Sequence, residues 1–311
     1  MKYLPFLTGS YSTAPGLIPL TKGEGKDKLI FQIDDTYEHY INNKSVGRKE
    51  NIYKYFLKHE LRDTTISTVN RFMVNQLVSE YPNLFELIQE GERIELLNQR
   101  TGEKLSWGRD WQTFGGDRYV DLFDALCSQV QEDLAVFQLE ESNDYLSAIH
   151  LCSPNHWAPS DKIGKPFSAI HAPVPSMERT LVHYRRMLES IVHSSFPSTR
   201  FAWGIATDTR LNHHPEAPPG VDRIEWQGRH HDVNTTWYIR SERQNLVGFP
   251  QVNAFLFTIR TYFYSVDELS QHEKEMLSSA IKSMSPDTLK YKGLTESFGL
   301  LENKLKGPKL I

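Results

Sequence analysis

One isolated histidine, one cysteine and a run of paired histidines are the residues of this chain whose types and spacing could do chemistry. His171 sits near the end of the segment CSPNHWAPSDKIGKPFSAIHAPVP, residues 152–175, after a Gly-containing loop and ahead of Pro173 and Pro175. Each proline fixes its own backbone angle and restrains the residue before it, so the imidazole is expected to be held rigidly. A fixed neutral imidazole can approach a metal, a haem iron included, along one direction. A histidine in such a loop reads equally as a hydrogen-bonded structural residue.

His213 with His214, and His230, His231 and Asp232, could in principle assemble a non-haem iron or zinc site. Their spacing matches no metal signature. Adjacent histidines on a strand point in different directions, and a loop with Pro215, Pro218, Pro219 and Gly220 predicts that His213 and His214 are solvated. Cys152 could offer a thiolate, but it has no cationic or helix N-terminal setting and reads as a small core side chain. With Cys127 as the second cysteine, the chain has neither a disulfide framework nor the four thiolates an iron–sulfur cluster usually takes.

These residues must be positioned by a chain of 311 residues, 39% hydrophobic and 12% aromatic, which is enough for a buried core. A formal charge of −4 gives no field to hold a polyanion, so nucleic acid is not expected as a partner. The opening MKYLPFLTGSYSTAPG lacks a basic start followed by an apolar run, and no segment approaches eighteen consecutive apolar residues. A cytoplasmic protein without membrane association is the expectation.

No repeat or low-complexity tract divides the chain, which predicts a single domain over 1–311. Residues 1–139 read as a mostly helical part, with helices over 51–60, 66–81 and 118–131; Val69, Phe72, Met73, Leu77 and Val78 give the second its helical spacing. Strands are expected at 144–152, 199–205, 235–240 and 254–263, in a sheet core covering 140–265. Between the first two, residues 174–193 predict a helix capped by Ser176, and 266–284 predict a C-terminal helix before a short tail. The sum is α+β, a mainly antiparallel sheet with flanking helices and a helical N-terminal region.

Two blocks far apart carry a resemblance. Pro154, Trp157, Asp161, Lys162, Gly164, Ile170, His171, Pro173, Val174 and Pro175 occur in order, and RSERQNLVGFP at 240–250 leads into AFLFTIRTY at 254–262. PGLIPL, FQIDDTYEHYI and QEDLAVF add shorter matches towards the N-terminus. In these motifs the chain resembles the catalytic subunit of the haem-dependent oxidative N-demethylases.

The resemblance implies a PAS-like fold holding haem b, with His171 as iron ligand and O2 activated to demethylate a small secondary amine such as dimethylamine. It also implies separate flavin and iron–sulfur reductase subunits, consistent with the lack here of a Gly-rich dinucleotide fingerprint. Lys162, Arg240, Arg243 and Arg260 become candidates for the haem propionates, Trp157 for the pocket wall, and Glu242 and Asp232 for the catalytic carboxylate. His156 and Gly248 depart from the family's pattern, which bears on the substrate pocket. A haem-binding PAS-type sensor without catalysis is the alternative reading, and a non-haem metalloenzyme the second.

Overall fold

The computed structural model describes residues 2–227, 232 and 234–306. In chain order the elements are β1 (Ile18–Pro19), α1 (Tyr37–Tyr55), β2 (Phe56–Lys58), α2 (Asp63–Glu80), β3 (Phe85–Glu90), β4 (Arg93–Asn98), β5 (Glu103–Gly108), α3 (Leu122–Cys127), β6 (Asp133–Leu139) and β7 (Asp144–His150). There follow α4 (Phe167–His171), α5 (Glu178–Val192), β8 (Ser198–Ala206), α6 (Arg223–Gln227), β9 (Tyr238–Phe249), β10 (Ala254–Ser265), α7 (Gln271–Lys282), α8 (Pro286–Tyr291) and α9 (Phe298–Lys306). The class is α+β, as the sequence predicts.

A seven-stranded sheet in the order β1-β8-β9-β10-β6-β7-β2 forms the centre, and every neighbouring pair is antiparallel. Its spine is the hairpin of β9 and β10, with Arg243 opposite Arg260 and Glu242 opposite Thr261. Side chains alternate along a strand, so neighbours in sequence face opposite sides. Leu246, Phe255 and Ile259 pack on one face with Leu188 and Ile191 of α5 and Ile170 of α4. Val247 and Leu256 pack on the other, with α2 and α3. A third cluster joins α7 and α9 to Phe6, Trp203 and Ile239.

The part up to residue 139, expected to be mostly helical, also carries strands. Residues 85–108 fold into a separate three-stranded antiparallel sheet, β3-β4-β5, and Asp133–Leu139 is a fully buried central strand. The helix expected over 118–131 is shortened to Leu122–Cys127, where Asp121 caps by accepting from the Asp124 N–H at 2.8 Å. All six of its residues are buried, which mimics an amphipathic run when the surroundings are unknown.

The expected strand at 235–240 is in fact Tyr238–Phe249. Its sequence hides it because polar side chains fall on both faces, so hydrophobicity does not alternate. Ser176 does not cap α5; it adopts a left-handed φ of 64°, and Met177 holds the cap position. The C-terminal helix starts later than expected, at Gln271, where Ser270 and Glu273 form a reciprocal capping box. Among the described residues, no helix is long and apolar enough to cross a membrane.

Candidate functional site

Pro166, extended at ψ 157°, starts the short helix α4, and one turn later the chain reaches His171. His171 Nδ1 lies 2.9 Å from the Phe167 carbonyl oxygen. A carbonyl can only accept, so Nδ1 carries the proton and donates, leaving Nε2 with a lone pair. The imidazole stacks on the Phe167 ring with centroids 3.9 Å apart, and Phe167 stacks in turn on Tyr184 of α5 at 5.7 Å. Burial takes the His171 pKa down to about 4, against the bond to Phe167, and the charges of Arg200 and Lys162 add to the lowering. The ring is therefore neutral at physiological pH.

Lys162 stays beside it by donating to the Ile170 carbonyl oxygen at 3.0 Å. Arg200 comes from β8, opposite Gln244 of β9, with Ala202 opposite Glu242 and Gly204 opposite Arg240. These residues share the sheet face that packs against α4 and α5. Glu242 accepts from Gln244 Nε2 at 2.9 Å and lies 3.7 Å from Arg240 Nε. Above β8 there is room: a Cβ built on Gly204 would meet no atom within 4 Å. Trp157 packs, partly buried, against the same apolar cluster.

The other two arginines do not join this group. Arg243 and Arg260 point to the opposite face, where Arg243 donates to the Leu29 carbonyl at 2.7 Å and Arg260 to Asp34 at 3.1 Å. Arg240 lies on His171's side of the sheet, yet it donates to the carbonyl oxygens of Ser153 and Leu211 at 2.6 and 3.3 Å. Asp232 is exposed and closes a local turn, accepting from the Asn234 N–H at 2.8 Å.

His213 and His214 are buried, not solvated as the prolines suggested, with 3% and 4% of their surface exposed. The reason is a polar network. His213 Nε2 donates to Asp208 at 3.0 Å while Nδ1 accepts from Arg240 at 3.3 Å, so both ring nitrogens are engaged. His214 Nδ1 accepts from the Glu216 N–H at 3.1 Å. His230 and His231 lie outside the described residues.

A second constellation was not legible in the sequence. Asp133, His150 and Cys152 are buried with donor atoms all within 4.8 Å of one another. His150 Nε2 is 3.1 Å from Asp124, and Cys152 Sγ is 3.9 Å from His150 Nδ1. Both carboxylates already have a cation: Arg48 pairs with Asp124, and the Lys44 ammonium acts on Asp133. Burial raises the Cys152 thiol far above its ordinary range, so it stays protonated and unsuited to thiolate ligation.

An open cleft of about 590 Å³ lies between Tyr11–Pro15, the start of α5 at Arg179 and His183, and the Ser283–Thr288 stretch. Tyr11 is close enough to Arg200 for the two to influence each other's ionisation. Arg200 was missed by the sequence reading. In TRFAWGI its signal is a cation at period two with small Ala202 and Gly204, a strand face left open rather than filled.

Fold and site together define an α+β protein that presents one neutral, oriented imidazole beside two cations on a partly polar sheet face. Residues 24–299 match the family described as haem-dependent oxidative N-demethylase, alpha subunit-like. The chain belongs to that family.

Proposed function

We propose that this chain is the haem-binding subunit of an oxidative N-demethylase, a cytoplasmic oxidoreductase that removes a methyl group from a small secondary amine of dimethylamine type. O2 is the oxidant, formaldehyde the carbon product, and separate flavin- and iron–sulfur-containing reductase subunits supply electrons. The central antiparallel strands with α4 and α5 on one face are read as the PAS-like core, within a single domain. The observation that carries the proposal is His171, whose Nδ1–H is tied to Phe167 and whose Nε2 is a neutral donor.

The residues present fit haem b. Nε2 of His171 would be the atom that holds the iron, a Cβ built on Gly204 meets no atom within 4 Å, and the buried Nε of Arg200 has no hydrogen-bond partner. When bound, haem supplies the one-electron and O2 chemistry. The protein's own residues do the rest. Phe257, Tyr184 and Trp157 wall the apolar face and exclude water. Glu242, on the same face, accepts the N–H of a protonated amine and can hold a proton close to it. Lys162 keeps the surroundings of His171 positive, which preserves the neutral ring. Arg243, Arg260 and Asp232 take no part in this reading, and Arg240 anchors the sheet to residues 153 and 211.

The test starts with the visible spectrum of protein expressed with haem supplied. A Soret band is expected, lost or strongly shifted in His171→Ala and retained in Cys152→Ala. Reduced protein given O2 and dimethylamine should release formaldehyde. Absence of a Soret band in the unmodified protein would overturn the haem assignment, and haem binding without amine turnover would favour a sensor.

A further inference from the structure

Arg240 and Glu242 lie two residues apart on β9, on the same face of the sheet, yet no hydrogen bond joins them. Their nearest approach is 3.7 Å, from Arg240 Nε to Glu242 Oε1. That Nε is buried without a partner, and Glu242 uses its other oxygen, Oε2, to accept from Gln244. Oε1 accepts no hydrogen bond among the described residues, although the Glu242 side chain is 16% exposed and so within reach of a ligand. A guanidinium beside a carboxylate ordinarily closes into a hydrogen-bonded pair, because leaving a buried N–H unmade is costly.

The arginine is held from its far end. Its Nη2 donates to the Ser153 carbonyl oxygen at 2.6 Å and lies 3.5 Å from Thr261 Oγ1, while Nη1 donates to the Leu211 carbonyl oxygen and to His213 Nδ1, both at 3.3 Å. His213 accepts at Nδ1 only in the tautomer with its proton on Nε2, and Asp208, 3.0 Å from Nε2, selects that tautomer. The loop does not need the imidazole for its own shape. The His156 N–H already donates to the His213 carbonyl oxygen at 3.0 Å, the His213 N–H to that of Pro154 at 3.1 Å, and Asn212 Nδ2 to the Tyr55 hydroxyl at 2.9 Å.

Room lies beside the open oxygen. On β8, Ala202 stands opposite Glu242 and Gly204 opposite Arg240, and a Cβ built on Gly204 meets no atom within 4 Å. We propose that His213, oriented by Asp208, is a positioning residue that keeps Arg240 out of hydrogen-bonding contact with Glu242, leaving Oε1 free for the N–H of a small ammonium ion. This role rests on the reading of Glu242 as the amine's acceptor given above.

The two ring nitrogens can be tested apart. An asparagine side chain carries its oxygen about where Nδ1 stands, and a glutamine carries its nitrogen about where Nε2 stands. His213→Asn therefore keeps an acceptor for Arg240, whereas His213→Gln keeps only the donor to Asp208. Haem-loaded protein is titrated with dimethylamine by calorimetry, and apo-protein is titrated separately with haemin, read from the Soret band. His213→Gln should weaken amine binding about tenfold, the scale of one charge-assisted hydrogen bond lost at Glu242, with haemin affinity unchanged. His213→Asn should keep most of the amine affinity. On a Glu242→Gln background, His213→Gln should add nothing, since the oxygen it protects is gone.

Unchanged amine affinity in His213→Gln, equal losses in the Gln and Asn variants, a parallel loss of haemin affinity, or a loss that persists on the Glu242→Gln background would overturn the positioning role while leaving haem and amine binding in place. No Soret band, or no amine binding, from the unmodified protein would instead overturn the parent reading, and this role with it. Circular dichroism of the apo-variants keeps a folding defect from passing as a binding defect. Should His213→Gln not fold, Asp208→Ala, at a partly exposed position, releases the tautomer and should show the same loss of amine affinity.

Discussion

Nδ1 of His171 lies 2.9 Å from the carbonyl oxygen of Phe167, one helical turn earlier, and the two rings stack with centroids 3.9 Å apart. A single residue thus fixes both the tautomer and the tilt of the imidazole, one through its backbone and the other through its side chain.

Phe167→Leu keeps the carbonyl and removes the stack. It should weaken haem binding by roughly two- to twelvefold, the worth of an aromatic contact of about 0.5–1.5 kcal/mol, without moving the Soret maximum. A shifted maximum would mean that ring contact, not the backbone bond, sets the ligand.

The low pKa of His171 has a signed consequence. Unfolded, the imidazole returns to its ordinary 6.5; folded, it resists protonation down to about 4. Between those values the unfolded chain binds a proton that the folded chain refuses, so this contribution is complete above 6.5 and is lost as the pH falls towards 4. Thermal midpoints measured from pH 7 to pH 5 should fall more steeply for the apo-protein than for His171→Phe. Parallel slopes would show that His171 titrates normally.

Gly204 lies on an open strand face, where an added Cβ meets no atom within 4 Å. Gly204→Leu should leave the apo-protein's thermal midpoint within a few degrees of the original and reduce haem uptake at least about tenfold, because the side chain fills the space a flat ligand requires. Unchanged uptake would move the ligand away from β8.

Gly248 behaves in the opposite way. A Cβ there would sit 2.2 Å from the Ile191 carbonyl oxygen and 2.4 Å from that of Val192, and neither backbone atom can swing aside. Gly248→Ala should cost more than about 2 kcal/mol in urea unfolding, on the scale of overpacking a core. Gly248 therefore sets how closely the end of α5 approaches β9.

The sequence showed the helices better than the strands, and the reason lies in particular residues. Val69, Met73 and Leu77 are buried at helical spacing on α2, so their periodicity reports a real face. On β9 the run from Arg240 to Asn245 puts an arginine on each side of the sheet, which erases the period-two signal that marks a half-buried strand. As a candidate, His171 stood out in the sequence because proline and family motif both single it out. Arg200 did not, since it comes close to His171 only once β8 and α4 are packed on the same sheet face, 29 residues apart in sequence.

The alternation on β9 also sets how this chain can change over evolutionary time. Glu242 and Arg243 are neighbours that face opposite sides of the sheet, each meeting a different set of partners across β10. Adding or deleting one residue between them and the turn at Pro250–Val252 would exchange those sets, sending the carboxylate among the N-terminal backbone carbonyls and the arginine towards His171. Length variation in the family should therefore gather in the loops around residue 220 and at the three-stranded sheet, while the β9–β10 hairpin diverges by substitution alone.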